Sequence, residues 1–497
     1  MPFFIRNKAK SLKNKTRVKN GHTTTSEKKF KSSNKKVQPA DLDEEILSDD
    51  LEDDEDDIVS ENDSLDDNDG SGGRRKKRKN DERIELSEDE NETAQEKKIR
   101  LAKKYLSHLE QSEMFDSRKD DDEDDGDLDD RSNLISSHLK ESVLEKLGKL
   151  HRTVAHRYGP IDDLSKLIVM KNGHKKAITA VVVSNDGRFV FSASKDCNIV
   201  KWNLNNGKRL HTIYGNHRAN PETYNKGHTA SIQSLALSTD FKFLASGCKN
   251  KVIHIWNPET MIHIHTFRGH RGSITGLAFR RSFHQLFSCS EDRMIKVWNL
   301  DEMGYVESLF GHHDSITAID SFVRDRCITS GGRDGTIRLW KIPEESNLIF
   351  LTGGMATIDC VRFIDESHFI SASDDGSISL WAIFKKKPLQ TISQTHEPNH
   401  WITSLASLRN TDLFASGSHD GRIIFWKIKP EFKGFERLFD YKVDGFINSM
   451  EFTTSGQYLI VAISQEHRLG RWFERFKNVH NVLHIIPMNV IESSSSS

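Results

Sequence analysis

Cysteine is scarce in this chain: five in 497 residues, Cys197, Cys248, Cys289, Cys327 and Cys360, dispersed and without a Cys-x-x-Cys pair. That argues against a disulfide-stapled secreted scaffold and a cysteine zinc module, and it fits a reducing compartment. No apolar run reaches the roughly 18 residues of a membrane-spanning helix. Met1 to Lys10 lack the apolar core and cleavage site of a secretory leader, so neither leader nor membrane partner is expected. A Gly-x-Ser-x-Gly nucleophile elbow is missing too. Apolar residues make up 35% against 29% charged, too few to pack the whole chain as one globule.

What is present is charge, sorted by sign. Residues 1–40 carry 12 Lys/Arg and one acid, Glu27; residues 41–69 carry 17 Asp/Glu and no base. Arg74-Arg75-Lys76-Lys77-Arg78-Lys79 follows, and nine acids fill the eleven positions 120–130. Through residue 159 there are 32 basic and 40 acidic residues, net -8; beyond it there are 40 and 34, net +6. The arm cannot bury enough apolar surface to offset chain entropy and is expected to be disordered. Alternating charge blocks suit a protein that works among polyanions and basic proteins. The six-residue cationic cluster reads as a nuclear localisation signal. Ser48, Ser60, Ser64 and Ser87 sit among acids and fit an acid-directed kinase.

Two stretches of the arm have helical periodicity. Thr93 to Glu96 forms a capping box, followed by Ile99, Leu101, Tyr105, Leu106 and Leu109 on roughly one face. Leu139, Val143, Leu144, Leu147, Leu150 and Val154 repeat likewise over about 134–157. The expected organisation is therefore a charged arm (1–91), a helical segment (92–112), an acidic linker (113–132), a helix leading into the body (133–159), the body (160–490) and a serine-rich tail (491–497).

The body is repetitive. Trp202, Trp256, Trp298, Trp340, Trp381, Trp426 and Trp472 end similar units, spaced 54, 42, 42, 41, 45 and 46 residues apart, the period of a four-stranded propeller blade. In the four units opened by Gly173-His174, Gly227-His228, Gly269-His270 and Gly311-His312, 28 residues separate His from Trp. An acid stands six residues before the Trp at Asp196, Asp292, Asp334, Asp375 and Asp420. An Asp there can accept main-chain N–H groups and hold the turn before the third strand. The preceding His can bond that Asp, a Ser or Thr four residues before the Asp can bond the His, and the indole N–H can close the set. Complete sets are Ser192/His174/Asp196/Trp202, Ser288/His270/Asp292/Trp298 and Ser330/His312/Asp334/Trp340. A hydrolase triad uses the same residue types, but it would not recur in several repeats with a tryptophan attached. No catalytic residue, metal site, cofactor or small-molecule substrate is assigned.

This pattern resembles the WD-repeat family over about 164–490 and implies an all-β, seven-bladed β-propeller. Several units depart from it. Asn250 replaces the Asp in the second, Gly353-Gly354-Met355 replaces Gly-His in the fifth, the sixth offers only His396 or His400, and the seventh has Glu466 and no Gly-His. The ring can be closed by Leu164 to Met170, with Val479 to Met488 as competitor for the outer strand. The 54-residue interval marks an insertion near Tyr214 to Lys226.

The whole chain is similar to the U3 small nucleolar RNA-interacting family, WD-repeat proteins of the U3 small nucleolar ribonucleoprotein. The basic cluster between acidic tracts, Glu92 to Leu106, Val143 to Ala155, Glu466-His-Arg-Leu-Gly-Arg-Trp472 and Val482 to Met488 carry that resemblance. It implies a non-enzymatic protein of the nucleus and nucleolus that binds the box B/C region of U3 RNA with a small kink-turn-binding protein. It also implies a role with other small-subunit processome components in pre-ribosomal RNA processing. RNA of this kind is read by shape and phosphate contact, because the A-form major groove is too narrow for side chains.

The loops joining blades and the turns before the third strands open on one face. The candidate RNA- or protein-binding residues there are Lys175, Lys176, Lys195, Lys249, Lys251, Arg271, Arg293, Arg333, His419, Arg468 and Arg471, each cation able to neutralise one phosphate. Glu291 and Asp374 have the opposite sign, so the path is expected to cover part of the ring. Lys385-Lys386-Lys387 is expected on the other face. The alternative reading is a protein adaptor, such as a ubiquitin-ligase substrate receptor or a chromatin scaffold.

Overall fold

The structure, a computed structural model, describes residues 140, 143–144, 150–160, 167–215, 227–353, 356–397, 400–470 and 475–488. The basic cluster 74–79, the stretch 92–112, the acidic linker and the serine tail lie outside them. The described strands form seven four-stranded antiparallel sheets, each strand beside its sequence neighbour except in the last. Blades 1 to 6 occupy 178–213, 232–268, 274–310, 318–351, 358–392 and 402–442. The chain is thus an all-β, seven-bladed propeller.

Both faces of each sheet meet another blade, so the inner three strands read as nearly continuous apolar runs rather than alternating ones. Phe191, Phe287, Phe369 and Phe414 are all fully buried in second strands. The core lies between blades. Phe287, Ile295 and Val297 of blade 3 pack on Ile316, Ile319 and Trp340 of blade 4. Threonines in or just before first strands add polar ties. Thr179, Thr275 and Thr317 donate their hydroxyls to Ile232, Ile316 and Ile358 carbonyls of the following blade at 2.8, 2.6 and 2.6 Å. Asn448 does the same across the ring closure, donating Nδ2 to the Ile178 carbonyl at 2.9 Å.

The seventh blade departs from the sequence expectation. Its inner strands are Phe446–Phe452 and Tyr458–Ser464, its third is Val482–Pro487, and its outer strand is Ile168–Met170. Both proposed closing segments are used: Ile168 pairs with Ile485 and Met170 with Leu483. Trp472 therefore does not end the third strand; it lies outside the described residues, between two strands. In other blades the tryptophan pairs with the second strand as Trp202 does with Val190 and Trp298 with Leu286. In blade 7 that register position belongs to Ile486, opposite Leu459. An insertion, 465–481, separates the strands and carried the tryptophan count past the real one.

The segment before the ring also differs. Lys140, Val143 and Leu144 are helical, but the expected helix does not continue to residue 157. Arg152 makes a parallel bridge to Thr411, and its N–H donates to the Asn410 carbonyl at 2.8 Å. Val154 and Ala155 N–H groups both donate to Asp412 Oδ1, at 2.7 and 2.9 Å, and Ala155–Arg157 is a single 3-10 turn. Ala155 is fully buried against blades 6 and 7. A buried main-chain acceptor and Asp412 outcompete helical pairing here, because both satisfy donors that a helix end would leave exposed.

Candidate nucleic-acid interface

Antiparallel order places the interblade loops and the turns between second and third strands on one face, here called upper. The turns between first and second strands and the Lys385–Lys387 turn open on the lower face, where Arg152 docks on Asn410 and Thr411.

In blades 1, 3, 4 and 6 the upper-face turn is held by a buried polar relay. In blade 1, Ser192 Oγ lies 2.8 Å from His174 Nε2 and accepts the Trp202 indole N–H at 2.9 Å; His174 Nδ1 lies 3.4 Å from Asp196. Blade 3 repeats this with Ser288, His270, Trp298 and Asp292 at 2.8, 2.8 and 2.9 Å. With Nδ1–H given to the carboxylate, Nε2 is left to accept the hydroxyl proton. Asp292 also accepts the N–H groups of Arg271 and Met294. Burial opposes ionisation, but the His270 and main-chain hydrogen bonds outweigh it and hold the Asp292 carboxyl below its usual range. Ser192 and Ser288 are fully buried with the indole on their oxygen, so neither presents a nucleophile to a substrate.

Blade 4 corrects one member. His312 Nε2 and Trp340 Nε1 meet Thr329 Oγ1, at 2.7 and 2.8 Å, and not Ser330. The turn from Ser330 to its partner Ile337 is one residue longer than the equivalent turn of blade 1, between Ala193 and Ile199. Counting four back from Asp334 therefore lands one residue late. Ser330 instead bonds Thr317 at 2.7 Å. In blade 6, His396 completes the relay with Ser416, Trp426 and Asp420. Gly173 in the first Gly-His pair is explained by space: a Cβ there would sit 2.3 Å from the Trp202 ring.

The candidate binding residues divide. Lys175, Lys176, Lys249, Lys251, Arg271, Arg293 and Arg333 are exposed around blades 1 to 4. Lys195 is half-buried, with Nζ 3.0 Å from Glu466 Oε1 and 2.6 Å from the His467 carbonyl, so it ties blade 1 to the blade 7 insertion. Arg468 is half-buried, and its N–H donates to Asn448 Oδ1 at 3.0 Å. Arg471 lies outside the described residues. His419 is buried at 9% exposure, its ring centroid 4.2 Å from His400, and its Nδ1 accepts the Trp401 N–H. Burial and the neighbouring His400 push its pKa down to about 4, so it is neutral near pH 7 and is corrected out of the exposed cationic set. The far side of the ring is more acidic: Asp375, Glu397 and Asp444 are exposed beside Lys442, Glu397 is paired with Arg422 at 2.7 Å, and Asp374 is engaged with the Thr357 N–H at 2.9 Å.

A search confined to charges missed two aromatics. Tyr214 and Phe310 stand at the upper ends of the outer edges of blades 1 and 3, 68% and 66% exposed. Arg268 ends the outer strand of blade 2 between them. The signal available in sequence was an aromatic just before or at the interblade loop, as in Phe310-Gly311-His312.

Comparison with known proteins follows the same outline. The WD domain, G-beta repeat family matches residues 165–203, 220–257, 261–299, 304–341, 346–382 and 386–427, leaving the first three strands of blade 7 and its insertion unmatched. U3 small nucleolar RNA-interacting protein 2 of Mus musculus is 46% identical over 408 residues, 80% of this chain and 82% of that one. The Homo sapiens protein of that name is 46% identical over 405 residues, with the same coverage. A solved structure titled "Structure of U3-55K" superposes with a TM-score of 0.62 at 44% identity, covering 66% of this chain and 99% of the other.

Proposed function

This chain belongs to the U3 small nucleolar RNA-interacting family of WD-repeat proteins, and from that premise we propose that it is a non-catalytic RNA- and protein-binding subunit of the U3 small nucleolar ribonucleoprotein. It holds the box B/C region of U3 RNA together with the kink-turn-binding protein, and so supports pre-ribosomal RNA processing and small-subunit assembly in the nucleolus. The basic cluster Arg74 to Lys79 directs it to the nucleus.

One observation carries the reading: Lys175, Lys176, Lys249, Lys251, Arg271, Arg293 and Arg333 are exposed along one arc of the upper face, with Glu291 an exposed acid among them, while Asp375, Glu397 and Asp444 are exposed on the opposite arc. Phosphate contacts of this kind position a folded RNA without reading its bases. The test is titration of the full chain, with the kink-turn-binding protein, against a box B/C fragment of U3 RNA. Affinity is expected to fall steeply with salt. Reversing Lys249, Lys251 and Arg271 together to Glu should weaken binding at least tenfold, whereas reversing Lys385, Lys386 and Lys387 should not. Salt-independent binding, or capture of protein partners alone from nuclease-treated extract, would favour the adaptor reading instead.

A further inference from the structure

On the upper face of blade 3 there is a shallow recess lined by Arg271, Glu291, Asp292, Arg293, Met294, Phe310, Gly311 and His312. Three observations there point the same way. Phe310, the last residue of the outer strand Gly304–Phe310, pairs with Met294 yet leaves 66% of its surface in solvent. Arg271 and Arg293 flank it, and neither is ion-paired among the described residues. Arg293 also has φ 69, a left-handed conformation that costs an L-residue stability. Blades 4, 5 and 6 put glycine at the equivalent turn position: Gly335, Gly376 and Gly421, with φ 64, 77 and 74. Blades 1 and 2 carry Cys197 and Lys251 there, left-handed with φ 69 and 68, so the turn tolerates a side chain at this position, and in blade 3 the one it carries is an exposed guanidinium lining the recess.

We propose that this recess is a subsite for one unpaired nucleotide of a bound RNA, its base stacked on Phe310 and its flanking phosphates held by Arg271 and Arg293. An exposed aromatic flanked by guanidinium groups is the arrangement that holds single-stranded nucleic acid. Glu291, exposed at the recess wall, would repel a bare phosphate but accepts hydrogen bonds from the amino or ring N–H groups on a base edge. The relay of blade 3 fixes the platform: Asp292 bonds the main-chain N–H of Arg271 at 2.7 Å and that of Met294 at 3.1 Å. Lys251 of blade 2, also left-handed with φ 68, continues the strained cationic positions along the arc.

The subsite rests on the reading that the upper face binds RNA, and the test separates the two. The probe is a box B/C fragment of U3 RNA carrying 4-thiouridine, bound to the full chain with the kink-turn-binding protein. Photocrosslinks are expected at Phe310 or Met294. Phe310→Ala should weaken binding about tenfold with an unchanged thermal midpoint, and Phe310→Tyr should restore it. Arg293→Gly should raise the thermal midpoint while weakening binding and lowering the salt slope by about one; a structural residue would not move the two in opposite directions. Wild-type affinity in both Phe310→Ala and Arg293→Gly, with the parent chain binding normally, overturns the subsite alone. A parent chain that does not bind the fragment overturns the RNA reading and the subsite with it.

Discussion

Blades 2 and 3 are neighbours on one plan that differ at the turn acid: Asn250 stands where blade 3 has Asp292. Strand register is the same, Leu244 opposite Trp256 and Leu286 opposite Trp298. Ser246 still takes His228 Nε2 at 2.6 Å and the Trp256 indole at 2.7 Å. The serine–tryptophan half of the relay therefore suffices to form a blade. What the acid adds is satisfaction of the ring's other nitrogen: His228 Nδ1 is buried without a partner. Asn250 turns its amide to Thr229 at 2.6 Å instead. Beside His228 lie two more imidazoles. The His254 ring is 4.5 Å away, and His254 Nδ1 is 3.2 Å from His263 Nε2. Blade 2 has exchanged a charged relay for a neutral histidine cluster.

The largest expected difference is in the acid itself. Asp292→Ala strands His270 Nδ1 and the Arg271 and Met294 N–H groups at once, so it should cost about 3 kcal/mol. Asn250→Ala loses one exposed side-chain bond and should cost under about 1 kcal/mol. Urea unfolding of the two variants checks this. Equal losses would mean that the turn acid is decoration and that packing alone sets blade stability.

Acid should also distinguish the two blades. Burial lowers the pKa of His228, His254 and His263, His254 to about 3, and the neighbouring rings lower His228 and His254 further. A base whose folded pKa is depressed stabilises the fold above its unfolded pKa, near 6.5. That stability is lost as pH falls below 6.5 toward the folded value, because the unfolded chain takes up the proton first. Each such ring contributes a slope of up to about 1.4 kcal/mol per pH unit. The Asp292 carboxyl, held below its ordinary value of 3.8, keeps its contribution until about that pH. Amide exchange between pH 6.5 and 4.5 should therefore rise in the blade 2 strands Leu244–Cys248 and Val252–Trp256 before Gln285–Ser290 and Met294–Asn299 of blade 3. Simultaneous opening would show that the ring unfolds as one unit and that the cluster has no local effect.

Much of this was legible in sequence because the relay is local. His174, Asp196 and Trp202 lie within one repeat, and their spacing is fixed by strand length. Where spacing varies, counting fails. The longer blade 4 turn moved the hydroxyl from Ser330 to Thr329, and the 465–481 insertion made Trp472 look like a strand end while Ile486, with no distinguishing chemistry, took that register position. Long-range contacts left no trace at all: the grip of Asp412 on Val154 and Ala155 joins residues more than 250 positions apart, and helical periodicity in 134–157 pointed the other way. Among the binding candidates, residue type located the arc, but burial decided membership. His419 and Lys195 have suitable side chains and are occupied within the protein, whereas Phe310 escaped notice because exposure of an aromatic is not a sequence property.

The smallest effect is the most direct repair of the comparison. Asn250→Asp puts an acceptor-only carboxylate at the position that Asp292 holds in blade 3, within the turn that follows Ser246 and Cys248. It can accept His228 Nδ1–H and the Thr229 main-chain N–H, as Asp292 accepts those of His270 and Arg271. A newly satisfied buried donor is worth about 1 kcal/mol, so the variant should gain roughly that in urea unfolding at pH 7. The new carboxylate also favours the protonated ring and raises the His228 pKa toward its unfolded value. The acid-induced opening of blade 2 should then begin at lower pH. A gain in stability with an unchanged acid profile would assign the pH response to His254 and His263 alone; no gain at all would mean that the buried Nδ1 of His228 costs the native blade nothing.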